Sequence, residues 1–181
     1  MEVSGYFEQI RSLGQTHRYS AGEDLLREGD QAKYLFYIES GGVRLWHNDD
    51  GRDITVQFFF EQQAVASFES FYLEQPSIFA ITAFEPTTAL VVDGEKLHQL
   101  LRKDSDLMMA FTNQICQRFI DYTHYFLTRI EQSPEQRYRS LLNTNPALAT
   151  RVPQHELASY LGITPVSLSR IRNRLKKESE S

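Results

Sequence analysis

A single cysteine, Cys116, stands in a chain of 181 residues. It cannot close an internal disulfide, and alone it cannot hold a zinc ion or an iron–sulfur cluster, which need about four ligands. It is expected as a small packing residue. No run of about 18 apolar residues exists, so no segment is expected to span a membrane. The first ten residues, MEVSGYFEQI, lack a basic stretch followed by an apolar one, so no signal peptide is expected. A reducing cytoplasm fits these absences. Also missing are a phosphate loop, a dinucleotide-binding glycine fingerprint, a nucleophile elbow and an H-E-x-x-H zinc motif. None of His17, His47, His98, His124 and His155 lies in a ligand motif, and each is expected at the surface or in packing. The sequence predicts no catalytic residues, no metal site and no cofactor.

What is present is an ordinary globular composition, 41% hydrophobic and 24% charged, so a core can be buried and disorder is not indicated. The net charge of −5 argues at first against a nucleic-acid partner. Its distribution argues the other way. Residues 133–181 carry eight Lys/Arg against four Asp/Glu, whereas residues 1–132 carry eleven against twenty. One end of an acidic protein is basic, which points to a two-part chain with an anion-binding end.

Residues 6–13 have helical spacing and read as a short lead-in. Over residues 17–93 short β-branched and aromatic runs recur (LFYIE, GVRLWH, ITVQFFF, FAITAF, TALVVD), separated by turn material. This pattern predicts an antiparallel β-sandwich or roll, and Asp50-Gly51 predicts a tight hairpin. The segment GEKLHQLLRKD predicts a helix. A longer one follows over residues 105–132, where Thr112, Ile115, Phe119, Tyr122, Phe126 and Arg129 alternate spacings of three and four, a heptad-like seam. Such a seam either packs on the β domain or faces a second copy of the chain. Ser133-Pro134-Glu135-Gln136 is a helix start, with a serine cap and proline at the first position. The next helix is expected to end near Asn145-Pro146, and the tail from Glu178 is polar and expected to fray. We place the divisions at 1–104, 105–132 and 133–181.

Residues 151–177 read RVPQHELASYLGITPVSLSRIRNRLKK. A helix after Pro153 has Leu157, Ala158 and Leu161 on one face. Gly162 supplies a sharp turn, Ile163 plugs the angle, and Thr164 and Pro165 cap a second helix with Leu168, Ile171 and Leu175 as its buried stripe. The opposite face carries Val166, Ser167, Ser169, Arg170, Asn173, Arg174 and Lys177, side chains suited to base edges or phosphates. This is a helix-turn-helix with a basic outer face.

The motif LASYLGITPVSLSRIRNRL resembles the DNA-binding unit of the Crp/Fnr family of transcription regulators. The stretch EGDQAKYLFYIESGGVRL resembles that family's cyclic-nucleotide-binding β-roll, with Gly29 and Gly41 at its turns. The resemblance covers nearly the whole chain. It implies an α+β fold, with an N-terminal antiparallel β-roll (double-stranded, jelly-roll-like), a long dimerisation helix and a C-terminal helix-turn-helix domain. It implies a homodimer that reads palindromic double-stranded DNA, with RNA polymerase and a small-molecule effector as further candidate partners and no membrane. By alignment on Gly162, Val166, Ser169 and Arg170 read bases. Gln154, His155, Thr164 and Ser167 touch phosphate. Pro165 falls where known members have a base-contacting arginine, so that contact is lost. Arg172, Arg174, Lys176 and Lys177 add phosphate attraction. On the long helix Ile115, Phe119, Tyr122 and Phe126 form the dimer contact.

Members that bind cyclic AMP carry a Gly-Glu pair and an arginine for the phosphate. Here the matching stretch is AVASFESFYLEQPSIFAITAF. No glycine lies between Gly51 and Gly94, and Ser77 stands where the arginine is expected. Glu69 without a neighbouring cation repels a phosphate. Control by cyclic nucleotide is therefore not expected. The candidate effector pocket is Phe68, Glu69, Ser77 and Tyr122, with the aromatics read first as packing. The alternative is a metal- or small-ligand-binding β-roll whose C-terminal helices bind a protein partner.

Overall fold

A computed structural model describes residues 9–179. Of the lead-in helix, residues 9–11 are helical and residues 6–8 lie outside the described residues, as do 180 and 181 of the tail. Eight strands are described: β1 Gly14–Tyr19, β2 Asp24–Leu26, β3 Tyr34–Ser40, β4 Val43–Asp49, β5 Arg52–Phe59, β6 Ala64–Val65, β7 Ala80–Ala83 and β8 Thr87–Asp93. They form two antiparallel four-stranded sheets, ordered β1-β8-β3-β6 and β2-β7-β4-β5. The fold is the expected α+β roll. The Asp50-Gly51 hairpin is present. Asp49 pairs with Arg52, both loop residues have positive φ, and Gly51 N–H donates to Asn48 Oδ1 at 2.7 Å.

Besides the lead-in, the described helices are α1 Phe68–Leu73, between β6 and β7, and then, after the last strand, α2 Gly94–Lys103, α3 Ser105–Glu131, α4 Pro134–Thr144, α5 Pro146–Arg151, α6 Gln154–Leu161 and α7 Pro165–Ser179. Asp104 caps α3, its carboxylate accepting from Asp106 and Leu107 N–H. Ser133 opens α4 in a full capping box with Gln136. Asn145-Pro146 is the expected helix end. It is also a start, because proline at the first position opens α5.

Two cores are built from one strand run. In Phe58-Phe59-Phe60 successive side chains point to opposite faces. Phe59 enters the roll core with Ile38, Ile81, Leu90, Leu97 and Leu107. Phe58 and Phe60 enter a second core with Phe84 and with Tyr138, Leu157, Leu161, Leu168 and Ile171 of the C-terminal helices. That double burial explains three consecutive phenylalanines where a one-sided strand would alternate. The helices therefore rest on the roll through shared apolar packing.

Candidate nucleic-acid interface

Gly162 sets the crossing of α6 and α7. Its φ of +70° is left-handed, and a β-carbon there would stand 3.2 Å from Arg129 Nη2. The turn is closed by Gly162 N–H to Ser159 O at 2.9 Å and Ile163 N–H to Ala158 O at 3.0 Å. Leu157, Ala158 and Leu161 of α6 and Leu168 and Ile171 of α7 are buried together. Thr164 Oγ1 caps α7, accepting from Ser167 N–H at 3.2 Å and meeting Ser167 Oγ at 3.0 Å. Gln154 Nε2 donates to the Pro165 carbonyl at 3.0 Å, which ties the start of α6 to the first turn of α7.

The outer face of α7 then follows from helical geometry. Val166, Arg170, Asn173, Arg174 and Lys177 are exposed, at spacings of three and four that place them on one side. Ser169 is half-buried at the edge of this face. His155 and Gln154 are exposed at the start of α6. Arg172 and Arg174 have inward or lateral partners. Arg172 Nε donates to Tyr138 Oη at 3.0 Å and Arg172 Nη2 to the Ala149 carbonyl at 3.2 Å, so this guanidinium braces the helical unit. Arg174 Nη1 meets Glu135 Oε2 at 2.6 Å.

The roll holds the helical unit by polar contacts that the sequence did not signal. Ser159 Oγ accepts from Thr55 N–H at 2.9 Å and donates to the Asp53 carbonyl at 2.6 Å, which closes the free edge of β5. Arg151 donates to Glu61 at 2.7 and 2.9 Å, to Glu85 and to the Gly41 carbonyl, and lies 4.8 Å over the Phe60 ring. Hydrogen bonding to Arg151 holds the Glu61 carboxyl down at about 2. Deeper in, Arg44 pairs with Asp53 at 3.0 Å and stands 3.7 Å from Glu156. Burial pushes the Glu156 carboxyl up, against the pull of Arg44. From below, Arg129 of α3 donates to the Tyr160 carbonyl while Tyr125 stacks on Tyr160 with ring centres 5.5 Å apart.

On α3 the exposed apolar side chains recentre the seam. Phe119 and Phe126 are 73% and 59% exposed, as expected of a contact face. Arg129 instead turns inward to α6, and Ile115 is half-buried. The exposed line is Met109, Thr112, Cys116, Phe119, Thr123, Phe126 and Ile130, again in threes and fours. Cys116, expected in packing, is exposed on that line. Tyr122 is exposed at its flank and packs on Tyr125.

The candidate effector residues lie apart in character. Ser77 is buried and bonded to Ser67 Oγ at 2.7 Å and to the Phe79 carbonyl at 2.7 Å. Phe68 is exposed and stacks on Tyr72, and Glu69 is exposed beside it. Among the described residues no hydrogen bond, ion pair or ring contact joins these three to Tyr122. No group of three His, Cys, Asp or Glu side chains among them could hold a metal ion, and no described helix is long and apolar enough to cross a membrane.

Comparison with known proteins matches residues 16–104 to the family model described as the cyclic nucleotide-binding domain. The cAMP-activated global transcriptional regulator CRP of Salmonella typhimurium is 19% identical over 180 residues, spanning 90% of this chain and 83% of that protein. Among solved structures, FixK2 from Bradyrhizobium japonicum superposes with a TM-score of 0.80 at 18% identity, over 92% of this chain and 86% of that one. The c-di-GMP responsive global regulator CLP of Xanthomonas campestris gives 0.74 at 21% identity, over 97% and 93%. The roll, the long helix and the C-terminal helices thus share one fold with these proteins.

Proposed function

We propose that the chain, whose roll matches the cyclic nucleotide-binding domain and whose fold is shared with FixK2 and CLP, is a Crp/Fnr-type transcription regulator that binds palindromic double-stranded DNA as a homodimer and reads base edges with α7. In this reading residues 1–104 are the sensor roll, 105–132 the dimerisation helix and 133–181 the DNA-binding unit. The observation that carries it is the two-sidedness of α7. Leu168 and Ile171 are buried, while Val166, Arg170, Asn173, Arg174 and Lys177 form an exposed basic face. A helix fixed on one side and offering arginine, asparagine and a small apolar group on the other has the chemistry for the major groove. Arg170 is the main base reader, with Val166 and Ser169 beside it. Thr164, Ser167, Gln154 and His155 flank the backbone.

The exposed line on α3 supports pairing of two chains, which would set two α7 helices about 34 Å apart, one turn of DNA. Cyclic nucleotide does not control this protein in our reading. Ser77, at the position of the phosphate arginine, is bonded inside the roll. RNA polymerase is the further partner that a regulator of this type would engage.

Selection of bound sequences from random duplex DNA tests the proposal. Enrichment of a palindrome supports it, and no enrichment at low salt sinks it. On the enriched site Arg170→Ala should weaken binding by roughly 1–3 kcal/mol.

A further inference from the structure

One carboxylate stands on the face that meets DNA in this reading. Glu135 lies in the first turn of α4, and a groove of about 400 Å³ separates that turn from α7. The groove is walled by Glu135, Ser167, Arg170 and Arg174 and floored by Ile163 and Ile171. Glu135 Oε2 takes Arg174 Nη1 at 2.6 Å, and its Oε1 takes Arg139 Nη2 at 3.0 Å. Arg139 also meets Glu178 Oε2 at 2.5 Å. The row Arg174, Glu135, Arg139, Glu178 alternates in sign and links α4 to α7. Two of the cations near the groove are thereby neutralised by the protein itself.

We propose that Glu135 is a brake on DNA affinity: it holds Arg174 in an ion pair, so a phosphate can take that guanidinium only by displacing a carboxylate already on it. The inference rests on the DNA-binding reading and deepens it. A free arginine on the surface gains by exchanging a phosphate for its place in water, and the phosphate releases a condensed counterion. An arginine paired to Glu135 must first give up a bond of equal kind, and the carboxylate left in the groove repels the phosphate. Because Arg174, once released, would face backbone phosphate and not bases, the brake acts on every sequence alike. The carboxylate is not needed to start the helix, because the Ser133–Gln136 capping box does that.

The test uses the full chain and a duplex of arbitrary sequence, with binding followed by fluorescence anisotropy as salt rises from about 50 to 200 mM. Glu135→Gln should bind more tightly throughout, with a log–log salt slope steeper by about 0.9, so that about 3.5-fold more affinity is lost across that range. Glu135→Ala should behave alike. In a chain that also carries Arg174→Gln, the gain from Glu135→Gln should disappear. Weaker binding by both Glu135 variants, an unchanged slope, or a gain that survives Arg174→Gln overturns the brake alone. A wild-type chain that binds no duplex at the lowest salt overturns the DNA reading and the brake with it.

Discussion

Ser159 lies 104 residues from Thr55 in sequence and is bonded to it in space, its hydroxyl oxygen accepting the Thr55 N–H at 2.9 Å. The same hydroxyl donates to the Asp53 carbonyl. One side chain thus gives the edge strand β5 the donor and the acceptor that a neighbouring strand would have supplied. Ser159→Ala leaves both backbone groups unmatched, at a cost of roughly 1–3 kcal/mol. Urea unfolding should show the loss, and amide exchange should show Thr55 N–H less protected. An unaltered Thr55 exchange rate would contradict this role.

Acid should loosen the Arg151 clasp. With the helices docked the Glu61 carboxyl sits at about 2, against an ordinary 4.5 when released. A depressed value means that docking favours the ionised form. The stabilisation is complete above pH 4.5, declines below it as the released form takes up a proton, and is gone as pH falls through about 2. Glu61 is 39% exposed, so solvent screening keeps the effect below what the shift alone suggests. The gap in Tm between the wild type and Glu61→Gln should therefore be constant near neutrality and shrink from pH 4.5 downward. A gap independent of pH would count against the clasp.

Arg172 should behave differently from its basic neighbours. Its guanidinium ties Tyr138 and the Ala149 carbonyl within the helical unit. Arg172→Ala should lower stability by roughly 1–3 kcal/mol and leave the salt slope of duplex binding where it was. A slope shallower by about 0.9 would instead make Arg172 a phosphate contact.

If two chains pair along α3 as proposed, Cys116 reports their register. On a parallel two-fold seam equal positions face each other, and a disulfide needs their Cα atoms within about 7 Å. Mild oxidation should give a reducible dimer that Cys116→Ser abolishes. If an amine cross-linker captures dimers and oxidation does not, the chains meet along another face of α3.

The sequence revealed what is encoded locally. Asp50-Gly51, the Ser133 capping box and the Gly162 turn are each dictated by a few adjacent residues. The α7 face was legible because a helix repeats every 3.6 residues. The seam on α3 was legible only in part. Ile115, Tyr122 and Arg129 have the right spacing, but spacing cannot choose between two adjacent faces. The choice falls to Tyr160 and Gly162, which draw Arg129 inward. The joint between roll and helices was not legible. Arg151, Glu61, Glu85 and Ser159 form no pattern in the chain and meet only when it folds. The one hint lay in Phe58-Phe59-Phe60, which no strand with a wet face would carry.

That triplet also bears on how such regulators could be recombined. Because Phe58 and Phe60 belong to the core of the helical unit, the seam between the parts does not run where the chain crosses from one to the other. A head exchanged with a relative at residue 133 would leave behind two rings shaped for its predecessor and an uncovered strand edge, the surface from which sheets aggregate. A working hybrid would have to inherit the end of β5 together with the helices, two stretches far apart in the gene.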